Sequence, residues 1–133
     1  MIRQGRHQDL DQITAFDCFA GYRSTEIQDG RLTVAEENGN VVGFIVESLK
    51  GLLGRPYIEY LAIANHCRRK GLAVKLIQAI ESKHTGNKLF ISTEATNTAM
   101  LNLLKKEGYK MSGQIANANI SGADELYFFK DII

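Results

Sequence analysis

No apolar stretch in this 133-residue chain is long enough to cross a bilayer, so no membrane-spanning helix is expected. The first residues, MIRQGRHQDLDQI, lack the apolar core of a signal peptide, and a cytoplasmic location is the expectation. Only two cysteines occur, Cys18 and Cys67, far apart and at no metal-ligand spacing. They read as two free thiols in a reducing compartment, with no metal site expected. The net charge is only +1, which removes the global field expected of a nucleic-acid-binding or membrane-surface protein. There is no Gly-Lys-Ser/Thr and no G-x-G-x-x-G after a strand, which argues against nucleoside triphosphate and dinucleotide sites. No internal repeat, low-complexity tract or inter-domain linker is visible. What remains is ordinary in composition, with 44% hydrophobic and 23% charged residues. It predicts one domain over residues 1–133 with a single core.

The most informative segment is 57–81, YIEYLAIANHCRRKGLAVKLIQAIE. A β-type apolar run (Tyr57, Ile58, Tyr60, Leu61, Ile63) stops at Asn65. A basic turn follows, Arg68-Arg69-Lys70-Gly71-Leu72-Ala73. A helical pattern then begins, with Leu72, Leu76, Ile77 and Ile80 on one face. Strand, turn and helix in this order can build an anion site. The first turn of a helix has N–H groups without intrahelical partners, and its dipole end is positive. Phosphate oxygens accept from such groups, and a glycine permits close approach of a ligand to the backbone.

Elsewhere the pattern predicts a strand at Ile2-Arg3 and a helix from about Asp9 to Ala20. Asp9 is the expected N-cap, with Gln12 three residues on. Tyr22 to Gly30 is polar and holds a short helix or a loop. Leu32–Glu37 and Val41–Leu49 flank Asn38-Gly39-Asn40, a hairpin signal. Gly51 to Pro56, with the only proline, reads as a loop. The helix of the informative segment is expected to end near His84, followed by a strand at Lys88–Thr93. Then come a helix at Ala99–Lys106, with Met100, Leu103 and Leu104 buried and Gly108 as C′ residue, and strands at Met111–Ile115 and Glu125–Phe129. The order βα(α)βββαβαββ predicts a mixed α/β (α+β) fold, with a largely antiparallel sheet of six or seven strands flanked by helices.

The turn resembles the cofactor motif of the GNAT superfamily, the GCN5-related N-acetyltransferases, whose signature is Gln/Arg-x-x-Gly-x-Gly/Ala between a strand and a helix. A second match lies in TNTAMLNLLKKEGYKMSG, where Asn97 precedes an apolar helix and Gly108-Tyr109 corresponds to a Gly-Phe/Tyr end. The element order is also that of the GNAT fold, so the resemblance runs from about Ile2 to Lys130. It implies an acyltransferase that uses acetyl-CoA as co-substrate and a primary amine as acceptor, by direct attack in a ternary complex. It implies that Arg68, Arg69, Lys70, Gly71, Leu72 and Ala73 wrap the pyrophosphate. The backbone of Leu61, Ala62 and Ile63 would pair with pantetheine, and an N–H near Ile63 would hold the oxyanion. Asn97 would bond the pantetheine arm; its alternative role is a helix N-cap, and the two are compatible. Relatives are often dimers, and the apolar end Ile132-Ile133 is compatible with a homodimer.

One position departs from the family. The tyrosine that protonates the leaving thiolate in many relatives falls at Leu104, which has no proton to give. Tyr109 and Tyr127 are alternative donors, or core residues. A thiol's ordinary pKa near ~8.5 makes its thiolate a fair leaving group without an acid. The amine needs a base, and Glu59, an acidic residue inside an apolar strand, is the candidate catalytic residue. It is expected to be buried, because a mid-strand carboxylate rarely lacks a reason. The competing role is an ion pair with Arg55 or a neighbouring lysine. His7, His84 and Cys67 are given no catalytic role, and Ser112-Gly113 reads as a strand bend. The segments 22–30, 51–56 and 116–123 would line the acceptor, whose identity they do not reveal. Two other functions remain in view. One is a weakly catalytic or non-catalytic acyl-CoA-binding sensor, suggested by Leu104. The other, nucleic-acid binding through Arg68, Arg69 and Lys70, lacks an aromatic platform.

Overall fold

The computed structural model describes residues 1–133. Seven strands and four α-helices follow in the expected order, and the strands lie in the order β1-β2-β3-β4-β5-β7-β6. The contacts divide the chain into two compact units. The first comprises Met1–Ser48 and Glu59–Lys83, the second Leu49–Ile58 and His84–Ile133. No helix is long and apolar enough to cross a membrane.

In the first unit, β1 (Ile2–Gln4) pairs antiparallel with β2 (Leu32–Glu37), and β2 pairs antiparallel with β3 (Asn40–Leu52). The turn between β2 and β3 uses Asn38 and Gly39, both at positive φ (52° and 81°), as an Asn-Gly hairpin requires. Ile13, Ile27, Leu32, Val34, Val41, Phe44 and Val46 form a buried cluster that Phe16, Tyr60 and Ala62 complete. On β4 (Arg55–Ile63), Tyr60 and Ala62 therefore join this cluster, while Ile63, like Leu76, approaches Gly43 instead. A Cβ at Gly43 would come within 2.7 Å of Ile63 Cδ1 and 3.2 Å of the Ala62 carbonyl, so this position admits only glycine without rearrangement. Helix α3 (Leu72–Glu81) buries Leu72, Leu76, Ile77 and Ile80, the face its periodicity indicates.

The first helix is shorter than expected. A 3-10 turn at His7–Asp9 leads into α1 (Leu10–Thr14), and α2 occupies Arg23–Gln28. Asp9 does not cap α1 with its side chain. Its carboxylate is taken instead by Arg3, through bonds of 2.8 and 2.9 Å, and by the Arg6 amide at 2.8 Å. The Arg3 bond holds the Asp9 carboxyl below its usual range.

In the second unit the segment 51–56 is no loop. β3 runs on to Leu52, β4 begins at Arg55, and Leu53 and Gly54 alone make the turn, at φ 52° and 77°. That pair of positive φ values suits a two-residue hairpin. β4 is parallel to β5 (Lys88–Glu94), with register Tyr57↔Phe90 and Ile58↔Ile91. β5 pairs antiparallel with β7 (Glu125–Asp131), which pairs with the edge strand β6 (Lys110–Ile115). The register between β6 and β7 shifts between Met111 and Gly113, so Ser112-Gly113 is indeed an irregularity in the strand. Helix α4 (Thr98–Lys106) buries only Leu104 fully, while Met100 and Leu103 are half-buried. Gly108 at φ 88° ends it, with the Tyr109 amide donating to the Leu104 carbonyl at 2.9 Å.

Candidate active site

The basic turn is built by what precedes and follows it. The Ala64 amide bonds the Val42 carbonyl at 2.8 Å, and Cys67 is buried at the end of a 3-10 turn, Asn65–Cys67. These anchor the strand side. Buried Leu72 anchors the helix side. Between them Arg68 is extended, Arg69 takes φ 67° and Gly71 takes φ 77°. Arg68 Nε donates back to the Ile63 carbonyl at 3.3 Å, and Lys70 Nζ stands 3.9 Å from Glu37. Arg68, Arg69 and Lys70 are all exposed. Gly71 is the N-cap of α3, and no side chain caps the helix from that position. Nothing lies within 4 Å of where a Cβ would project from Gly71. The result is a helix start with open space before it and three cations beside it, an arrangement suited to an anion.

A cleft of about 760 Å³ adjoins the turn; Phe16, Asn38, Val42, His66, Arg68 and Lys70 are among its walls. Both cysteines also line it, and neither forms a disulfide.

Glu59 is placed differently from expectation. Its side chain is 30% exposed rather than buried, and its Oε1 accepts from Arg31 Nη1 at 3.0 Å. The ion-pair partner is thus Arg31, not Arg55 or a lysine. Arg31 also donates to the Glu47 carbonyl at 2.8 Å, which fixes its guanidinium beside the strand. Arg31 immediately precedes β2, so only the β2–β3–β4 arrangement could reveal the pairing. Nearby in the same unit, Arg23 and Glu26 of α2 are both buried, with Arg23 Nε 3.1 Å from Glu26 Oε1. The angle makes this an ion pair without a formed hydrogen bond. Burial pushes the Glu26 carboxyl up, against the pull of Arg23. Arg23 lies 4.2 Å over the Tyr60 ring, whose other neighbour is the Phe19 ring at 5.1 Å. Phe19 and Tyr22 expose 39% and 80% of their surface, so the α1–α2 connection presents aromatic edges to solvent.

In the second unit, Asn97 caps α4, its Oδ1 accepting from the Met100 amide at 3.2 Å. Leu104 is wholly buried and Tyr109 nearly so, so the position that departs from the family is a core position. Tyr127 stacks on Tyr57, with ring centroids 6.2 Å apart. A group that periodicity alone did not mark as chemical appears here. Tyr57 Oη and Ser92 Oγ are 2.7 Å apart, and Ser92 donates to Glu125 Oε2 at 2.7 Å. The signal was one tyrosine in an apolar strand and one serine in KLFIST, and only the parallel β4–β5 register joins them. The segment 116–123 adds Asn119, whose Nδ2 donates to Glu125 Oε1 at 3.0 Å.

A seven-stranded, mostly antiparallel sheet with one parallel, helix-linked step and an open, basic helix start after β4 defines a mixed α/β architecture. Residues 3–109 match the model of the Acetyltransferase (GNAT) family, and the chain belongs to that family. An N-alpha-acetyltransferase from Sulfurisphaera tokodaii is 25% identical, the match covering 82% of this chain and 79% of the relative. A GNAT-family acetyltransferase structure from Bacillus cereus superposes with a TM-score of 0.86 at 20% identity, covering 100% of this chain and 97% of the other. Arabidopsis thaliana Naa50, solved with the bisubstrate analogue CoA-Ac-MVNAL, superposes with a TM-score of 0.79 at 22% identity, over 98% and 97% of the two chains.

Proposed function

We propose that residues 1–133 form one N-acetyltransferase domain that moves an acetyl group from acetyl-CoA to the α-amine of a peptide, by direct attack in a ternary complex. The α3 start carries this reading: an uncapped helix N-terminus, preceded by Gly71 at φ 77° and by three exposed cations, suits a pyrophosphate. Arg68, Arg69 and Lys70 supply charge, and the main chain of Gly71, Leu72 and Ala73 supplies donors. The main chain of Leu61, Ala62 and Ile63, on β4 past the residues registered with β5, takes the pantetheine. An N–H near Ile63 holds the oxyanion. Asn97 keeps its Oδ1 on the α4 cap and offers its Nδ2 to the pantetheine arm.

The acceptor's ammonium must lose a proton before its nitrogen can attack. Glu59 takes that proton through a water, its orientation set by Arg31. With leucine at position 104, the thiolate leaves without a dedicated acid and collects a proton from solvent. The family favours an enzyme over a non-catalytic sensor. The named activity of the archaeal relative and the peptide-bearing analogue bound to Naa50 support a peptide α-amine over a small metabolite.

The test offers acetyl-CoA with two peptide pools. One has free α-amines and no lysine; the other has blocked N-termini and internal lysines. Acetylation confined to the first pool, read by mass spectrometry, is expected. Acetylation confined to the second would move the acceptor to a lysine side chain.

A further inference from the structure

In the second unit, half-buried and buried residues alternate along β5 without exception. Leu89, Ile91 and Thr93 are buried; Lys88, Phe90, Ser92 and Glu94 point the other way. The register carries that second face across the sheet. Tyr57 of β4 lies beside Phe90, Phe129 of β7 lies opposite Phe90, and Tyr127 lies opposite Ser92. Four aromatic rings therefore stand together in the middle of this face, and none is fully buried. They pack on one another, Tyr57 on Tyr127 at 6.2 Å and Phe90 on Phe129 at 6.4 Å, with Lys88 Nζ over Phe129 at 4.1 Å. Ile115, opposite Glu125 and 52% exposed, adds an apolar side chain. The unit's one α-helix leads to the opposite face: Tyr109, just after α4, meets Lys130 there at 5.5 Å. A sheet face open to water normally carries polar residues, and an aromatic one marks a contact surface.

Charge is gathered at the two ends of the same face. At one end are Lys88 and Lys110, with Asp131 paired to Lys88 at 2.7 Å. Lys110 is exposed and has no ion pair. At the other end Glu94 and Glu125 are direct cross-strand partners. Like charges in that position repel. Ser121 donates to Glu94 at 2.8 Å, and Ser92 and Asn119 donate to Glu125 at 2.7 and 3.0 Å. All three donors are neutral, and no cation of the chain pairs with either carboxylate.

We propose that this face is the interface of a symmetric dimer, occupied by the same face of a second copy, sheet on sheet. The two-fold axis lies between the sheets and runs across the strands. Such an axis turns one sheet over onto the other and reverses its strand direction. The lysine end of each copy then lies over the Glu94–Glu125 pair of the other, with the aromatic rows meeting between them. An axis along the strands would set lysines on lysines and glutamates on glutamates, so the charges select one arrangement. The cation that Glu94 and Glu125 lack comes from the second copy, at both ends at once. Four strands of about seven residues make a face of roughly 19 Å by 23 Å. That is a small interface, and dissociation in the micromolar range is expected. Dimerisation of this kind needs no part of the acetyltransferase reading.

Sedimentation equilibrium of the wild-type protein, from micromolar to near-millimolar concentration, is expected to show monomer and dimer in exchange. Phe90→Thr/Phe129→Thr puts strand-compatible polar residues on the face and should raise the dissociation constant about 100-fold or more. Thermal unfolding at a concentration where the wild type is monomeric shows whether that variant folds. Two surface-charge variants then test the geometry. Lys88→Glu/Lys110→Glu makes both ends of the face acidic, and Glu94→Lys/Glu125→Gln makes both basic. Each alone should be monomeric, and an equal mixture should form heterodimers. A wild-type protein that stays monomeric at the highest concentration overturns the proposal. So does a dimer that the folded Phe90→Thr/Phe129→Thr variant forms as tightly as the wild type, because its interface lies elsewhere. Charge variants that dimerise alone as tightly as the wild type, or stay monomeric when mixed, overturn it as well.

Discussion

Helices α3 and α4 begin in opposite ways. At α4 the chain supplies its own cap: Asn97 turns its Oδ1 onto the Met100 amide at 3.2 Å. At α3 the capping position is Gly71, which has no side chain to offer and faces open space. The residue two before it, Arg69, takes φ 67°, a conformation that disfavours a side chain with a Cβ. Helices α1 and α2 also start without a side-chain cap, so the α3 start is set apart by Gly71 at φ 77° in the capping position itself and by its three exposed cations. The α3 start forgoes the cap and accepts an unfavourable backbone, and three cations are exposed beside it. Under the proposed function, a bound pyrophosphate would accept the hydrogen bonds that the α3 start leaves unmade.

The contrast can be broken most forcefully at Gly71. Gly71→Trp fills the space before the helix and is expected to remove measurable acetyl-CoA binding. No neighbour is struck, so the fold should lose only about 1–2 kcal/mol, the cost of a side chain at positive φ. Calorimetry and thermal unfolding on the same sample separate the two effects. Next in size is Arg69→Gly. It removes a cation from the turn and should weaken cofactor binding by about 1.5–3 kcal/mol. It also relieves the positive φ, so stability should hold or rise by up to about 1 kcal/mol. Affinity and stability moving in opposite directions is the signature sought; both falling together would make Arg69 a structural residue. The smallest effect belongs to the other helix. Asn97→Ala should cost about 1 kcal/mol of stability through the lost cap. If it weakens acetyl-CoA binding by more than its stability loss explains, Asn97 also contacts the cofactor.

Much of this fold could be read in the sequence, because its signals are local. The Asn-Gly turn, the four-residue apolar face of α3 and the glycine after α4 each reflect backbone geometry that a short window specifies. The start of α1 near Asp9 was legible, with Asp9 in the N-cap position and its carboxylate taken by Arg3, but its end was not: the helix stops at Thr14 rather than Ala20. The segment 51–56 was misread because Pro56 and two glycines suggested a loop. The chain instead turns on Leu53-Gly54, and Pro56 sits inside β4. The candidate site divides along the same line. The basic turn Arg68–Ala73 is one contiguous motif that a short window displays. The pairings of Arg31 with Glu59 and of Tyr57 with Ser92 and Glu125 join distant segments, and no single segment announces them.

The most direct test compares acetyl-CoA with acetyl-pantetheine, which carries the same thioester but no pyrophosphate or nucleotide, by calorimetry on the wild-type protein. Saturable acetyl-CoA binding, with acetyl-pantetheine weaker by about tenfold or more, is the result expected if the α3 turn holds the phosphates. Equal affinities, or no acetyl-CoA binding at millimolar concentration, would contradict it and leave the turn as only the start of a helix.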